Sequence, residues 1–161
     1  QVAQAAQANL VCSSFWYLYE RTDQLAFSKV RLPKQLNWSV MLRTNAIPMS
    51  TAMFRLEHTG RHYFETMPAG YIHEDYDFWL SLMRLAHIKA ISLPEATTVI
   101  RVRPGSRSSN KWQAFKSHAY ILRNRAGIAG FKLAYAMLNY LFWGLFKRLA
   151  TTSSKSSTWP G

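Results

Sequence analysis

The chain has 161 residues, enough for one domain with a real core and too few for two. Hydrophobic content of 48% and aromatic content of 14% exclude a disordered chain. A single cysteine, Cys12, excludes an intrachain disulfide framework and any CxxC metal site, and makes a reducing compartment the default. The net charge of +12 is unevenly spread. All eight acids lie at or before Glu95, against nine bases in residues 1–95, whereas residues 96–161 hold eleven bases and no acid. Because those bases are interleaved with apolar residues, the asymmetry points to a polyanionic partner such as phosphate groups, anionic lipid or nucleic acid.

In chain order, QVAQAAQANL reads as the tail of a helix already under way, with no signal peptide before it, so the expectation is the C-terminal piece of something longer. Leu10 to Glu20 is β-prone and aromatic, a predicted buried strand in which Cys12 is expected as a small hydrophobe. A turn at residues 21–24 leads to a second extended piece, Leu25 to Arg31, which Leu32-Pro33-Lys34 breaks. Asn37 to Leu42 predicts a short helix with a polar cap, Asn45 to Pro48 a loop, and Met49 to Phe54 a short buried strand.

Gly60 to Gly70 is expected to be irregular, and Glu74 to about Ala86 helical. Two strands, Lys89 to Leu93 and Thr97 to Val102, are expected on either side of Pro94-Glu95. After a basic loop from Arg103 to Ser109, Asn110 opens a helix through Arg123. A last, apolar helix covers about Ala126 to Leu149, and the tail from Thr151 is expected to be disordered. Alternating strands and helices give an α/β class, with no GxGxxG or GxxxxGK[ST] phosphate loop.

Three stretches could carry chemistry. His73-Glu74-Asp75-Tyr76-Asp77 places three carboxylates and a histidine at the mouth of an aromatic helix. Carboxylates suit a helix start, where backbone N–H groups and the macrodipole favour negative charge, but three exceed what a cap requires. Either they are capping acids with Tyr76 and Trp79 as core, or one is a general base, with Asp77 left as the cap. The loop from Arg103 through Ser106 and Ser109 to Lys111 combines forked donors, hydroxyls and a following helix start. It reads equally as an oxyanion cradle or as a solvated loop in which Ser109 or Asn110 caps the helix. Among the five histidines only His58 and His62 have HxxxH spacing and none an HExxH motif, so no dedicated metal site is expected. In the apolar run from Ala126 to Phe146 only Lys132 and Asn139 interrupt, and Arg123, Arg125, Lys147 and Arg148 bracket it. Interfacial membrane contact, packing on the domain and a marginal transmembrane span all fit it.

Taken in order, VRLPKQLNWSVMLRTNAIPMSTAMFR (30–55), HEDYDFWLSLMR (73–84) and IRVRPGSRSSNKWQAFK (100–116) resemble the C-terminal half of bacterial family 2 glycosyltransferases of the GT-A fold, those that build cell-envelope polysaccharides. The likeness spans nearly residues 10–148 and rests on three spaced motifs in order. It implies a Rossmann-like α/β domain half over residues 1–112, two C-terminal helices over 113–150 and a tail over 151–161.

The resemblance implies inverting transfer of a sugar from a nucleotide-sugar donor to a glycan or lipid-linked acceptor. Asp75 would be the catalytic base with Glu74 beside it. Tyr76, Trp79 and His73 would bind the acceptor, and Arg103, Ser106, Ser109 and Lys111 the diphosphate. The family's donor half carries an Asp-x-Asp motif for Mg2+ or Mn2+. Asp75-Tyr76-Asp77 has that spacing but stands at the base position, so the metal ligands are expected outside this chain. The fragment alone is then expected to be inactive and to expose part of its sheet. An anionic membrane surface, met through 126–149 on the cytoplasmic face of the cell membrane, is the further expected partner, and nucleic acid is not. The alternative is a non-enzymatic basic module that binds anionic membrane or nucleic acid, although no nucleic-acid motif accompanies the charge.

Overall fold

A computed structural model describes residues 7–21, 24–85, 88–103, 105–106 and 110–153, without the side chains of 20, 21, 24, 25 and 146–153. The fold is mixed α/β, built on a five-stranded mixed sheet. Its strands are β1 (Leu10–Arg21), β2 (Gln24–Val30), β3 (Gln35–Leu36), β4 (Met53–Phe54) and β5 (Ala90–Val102). The helices are α1 (Trp38–Arg43), α2 (Leu56–Thr59), α3 (Glu74–Met83), α4 (Lys111–Tyr120) and α5 (Gly130–Ser153).

β1 forms the middle of the sheet. One edge runs parallel to β5 from Leu10–Ala90 to Tyr19–Val102. The other edge is shared between two antiparallel partners, β2 over Phe15 to Arg21 and β4 over Leu10 and Val11. β3 covers only the start of β5, at Ala90 and Ile91, so no described strand continues along that outer edge. A parallel pair between β1 and β5 needs a crossover, and residues 31–89, with α1, α2 and α3, supply it.

Two sequence expectations change. Pro94-Glu95 does not divide two strands: β5 runs through it, because the register against β1 shifts between Ser13 and Ser14 and again before Phe15. A bulge absorbs the residue that cannot donate, as strand prolines require. Met49 to Phe54 is not a buried strand but a 3-10 turn, Met49–Thr51, followed by two paired residues of which Met53 is exposed.

The remaining boundaries shift modestly. Asn37 and Asn110 cap α1 and α4, their Oδ1 atoms accepting from Val40 N and Gln113 N at 3.0 Å each. After α4 the chain widens into a π turn, Ile121–Arg125, closed by Ala126 N donating to Ile121 O. The last helix starts at Gly130 and runs to Ser153, into the stretch expected to be tail; residues 154–161 lie outside the described residues. None of the described helices is long and apolar enough to cross a membrane.

The core lies between the sheet and α3, closed by α1, α4 and α5. Leu10 and Cys12 of β1 meet Met41, Ile47, Tyr76, Trp79, Leu82, Ile121 and Leu122 there. Burial pushes the Cys12 thiol up to about 12, so it is a packing residue, as the apolar run around it predicts.

Candidate functional site

The acid-rich segment turns into α3 through His73, whose backbone is left-handed (φ 79°). Such a conformation in a residue with a Cβ costs of order 1 kcal/mol, and histidine is among the residues that tolerate it best. The surrounding packing holds it. Just upstream, Ile72 N donates to Ser117 Oγ at 2.9 Å and Gln113 Nε2 donates to Gly70 O at 3.1 Å. The first turns of α4 therefore clamp the run into α3. Since α4 follows the basic loop that leaves the C-terminal end of β5, the loop and the acid segment are coupled through that helix. Ligands of open α/β sheets bind beyond the carboxyl ends of parallel strands, where this loop emerges.

Asp75 is half-buried in the first turn of α3. Its Oδ2 accepts from Asn45 Nδ2 at 3.1 Å and its Oδ1 from Tyr76 N at 2.8 Å. A carboxylate oxygen accepts two hydrogen bonds, so each retains a lone pair. Asn45 belongs to the loop that follows α1, and its own Oδ1 is buried with no hydrogen-bond partner. Glu74 is half-buried beside it, and His73 likewise.

The aromatic residues of the same segment are core, as the capping alternative had them, and not at the acceptor site that the resemblance implied. Tyr76 and Trp79 are both 0% exposed. The Tyr76 hydroxyl donates to Met41 O at 2.7 Å and Trp79 Nε1 donates to Ile47 O at 3.0 Å. Each ring buries its apolar body and spends its polar handle on a backbone carbonyl. With no face open they cannot wall an acceptor site; they fasten α3 to the loop that carries Asn45.

Asp77 is not the cap expected of it. It is buried, and its Oδ2 stands 3.5 Å from Arg125 Nε, neither atom having a hydrogen-bond partner. Burial raises its carboxyl above the usual range, Arg125 opposes the rise, and Glu65 adds to it. Arg125 also meets Glu65 Oε2 at 3.2 Å. This group lines a cleft of about 320 Å³ with Trp38, Tyr63, Phe78 and Arg84. Residues 75 and 77 are about 200° apart around a helix, so the cleft opens away from Asp75. It is a separate feature, not the cavity of the candidate base.

Of the basic loop, Arg103 and Lys111 are exposed, and Ser106 is half-buried in a turn where its N–H donates to Arg103 O at 3.4 Å. Gly105 takes the positive φ (75°) that the turn requires. Ser109 lies outside the described residues, as do Arg107 and Ser108. The N-cap role that the sequence left open between Ser109 and Asn110 falls to Asn110.

Two residues had no sequence signal. Asn45 orients Asp75 from thirty positions away, and only the tertiary contact reveals it. His118 is buried between the rings of Tyr76 and Tyr140, with centroids at 4.8 Å and 4.1 Å. Burial, opposed by a backbone hydrogen bond at Leu42 and aided by nearby His73, lowers its pKa to about 3. It is a neutral core imidazole.

Among the described residues no three of His, Cys, Asp and Glu gather to hold a divalent cation, and Asp77 faces a guanidinium. No family model, curated protein or solved structure matches the chain.

Proposed function

We propose that the chain is the acceptor-side half of an inverting glycosyltransferase of the GT-A type, with Asp75 as the general base. The observation that carries this reading is the state of Asp75. It is a half-buried carboxylate, pinned through both oxygens by Asn45 and its own helix turn, yet keeping lone pairs for a substrate proton. The left-handed turn at His73 and the ordered motifs at 30–55, 73–84 and 100–116 support it.

In this mechanism the acceptor hydroxyl attacks the anomeric carbon of the donor in line with the departing nucleoside diphosphate. The new C–O bond forms as the C–O bond to phosphate breaks, and Asp75 takes the hydroxyl proton. The base needs only hydrogen-bond reach, about 2.6–3.2 Å, because the hydroxyl becomes acidic as it bonds to carbon. Asn45 and the backbone N–H of Tyr76 fix the carboxylate's plane, so that little reorganisation accompanies proton transfer. Glu74 adds negative potential beside the base. Arg103 and Ser106, on the loop that α4 couples to this segment, and Lys111, the first residue of α4, meet the charge developing on the diphosphate. The nucleotide and any Mg2+ or Mn2+ would be held by a donor half whose motifs these 161 residues do not contain. The donor sugar would come from the cytoplasm, and the enzyme would sit peripherally on the inner face of the cell membrane, where lipid-linked acceptors are presented.

The test uses an enzyme with its donor half. Asp75→Asn is expected to lower sugar transfer by about 10²–10⁴-fold, the usual worth of a positioned general base, while nucleotide-sugar affinity stays within error. Normal turnover in that variant sinks the assignment.

A further inference from the structure

α5 is apolar on two opposite sides, and only one of them is covered. Leu133, Ala136, Met137 and Tyr140 pack on the domain core. Phe131, Tyr135, Leu138, Phe142 and Leu145 are between 60% and 85% exposed, and Leu141 is 52% exposed. At 100° per residue the first five fall within about 80° of one another, nearly opposite the packed side. The polar strip is narrow: Lys132 and Asn139 lie together on one flank. A helix apolar all round requires two apolar neighbours, and the domain supplies one.

The surroundings choose the other. Residues 96–161 contain no acid, and exposed Lys116, Arg123 and Lys132 lie on α4, the π turn and α5. On that face Tyr135, 60% exposed, lies one helical turn from exposed Lys132. Amphipathic aromatic rings beside cations match the headgroup level of an anionic bilayer. A second copy matches less well. An isologous contact would bring like-charged surroundings together, with no carboxylate in residues 96–161 to answer them.

We propose that this outer face of α5 is an in-plane docking surface for an anionic lipid bilayer, the helix lying flat in the headgroup region with the domain on its far side. The proposal deepens the membrane-peripheral part of the reading above and rests on that part, not on the chemistry at Asp75. Each leucine and phenylalanine of the face enters the boundary between headgroups and acyl chains, and the cations on the flanking segments neutralise lipid phosphates.

The experiment is vesicle flotation of the full chain, with phosphatidylglycerol/phosphatidylcholine vesicles against phosphatidylcholine alone. The wild type is expected to float on the anionic vesicles, and less so as salt rises. Leu138→Glu with Phe142→Glu should lower the bound fraction by about tenfold or more, with unchanged circular dichroism and urea midpoint. Met53→Glu, an exposed apolar residue on β4, should float like the wild type. Phe131→Glu alone, at the helix start, gives a second reading should the double variant unfold. Absence of flotation on anionic vesicles, or flotation untouched by the substitutions on α5, overturns the proposal. So does a solution dimer, seen by sedimentation, that these substitutions dissociate while no vesicle binds. Sugar transfer to a soluble acceptor, measured in parallel on Asp75→Asn of an enzyme with its donor half, separates the two readings: it can fail while flotation stands, and the reverse.

Discussion

α3 and α5 are both aromatic-rich apolar helices, and they meet opposite fates. α3 buries Tyr76, Asp77, Phe78, Trp79 and Leu80 in succession, a run that covers the whole circumference of the helix. α5 leaves Phe131, Tyr135, Leu138, Phe142 and Leu145 exposed. The difference is the number of neighbours. The sheet, α1, the Asn45–Pro48 loop and the π turn surround α3, whereas α5 lies on the outside of the domain with one side covered. Apolar composition creates a demand for burial; position in the fold decides whether the chain meets it.

That contrast has measurable consequences for stability. The largest is expected at Trp79→Ala, which removes a fully buried ring and orphans Ile47 O, at a cost of about 3–5 kcal/mol in urea unfolding. A small loss there would mean that α3 is not enclosed as described.

Next comes the acid limb of stability, set where α3, α4 and α5 meet at His118. Its folded pKa of about 3 lies below the ordinary 6.5, so the unfolded chain binds the proton first. The stability it contributes is present above 6.5 and is lost as pH falls toward its folded value, with a slope of up to about 1.4 kcal/mol per pH unit. Asp77 acts with the opposite sign, because its raised carboxyl favours the folded state below its ordinary value of 3.8. The slope is therefore read just below 6.5, where His118→Phe should flatten it. The smallest effect is expected at Phe142→Ala on α5. In solution it should change stability by no more than about 0.5 kcal/mol, against several at Trp79. A loss comparable to that of Trp79→Ala would show that the outer face of α5 is buried within the chain itself.

Legibility in the sequence followed local physics. The first two strands, the asparagine caps of α1 and α4 and the start of α3 were readable because each depends on neighbours within a few positions. Pro94-Glu95 was misread as a break, since the bulge that accommodates it belongs to the pairing with β1. Met49 to Phe54 was misread because a short apolar run cannot disclose whether anything will cover it. In the site, the acid run was conspicuous, and its internal division was not.

What the sequence determined by itself was the existence of an acid-mouthed aromatic helix, a wholly basic second half and a long apolar terminal helix: charge and periodicity are properties of the chain. Tertiary structure decided the roles. It turned Tyr76 and Trp79 inward to bond Met41 and Ile47, set Asp77 against Arg125, and left Asp75 half-buried in the hold of Asn45. Adjacent helical residues point about 100° apart, so which of them faces core, cleft or solvent depends on what packs on each side. That information lies in segments distant along the chain, and only folding brings it to the site.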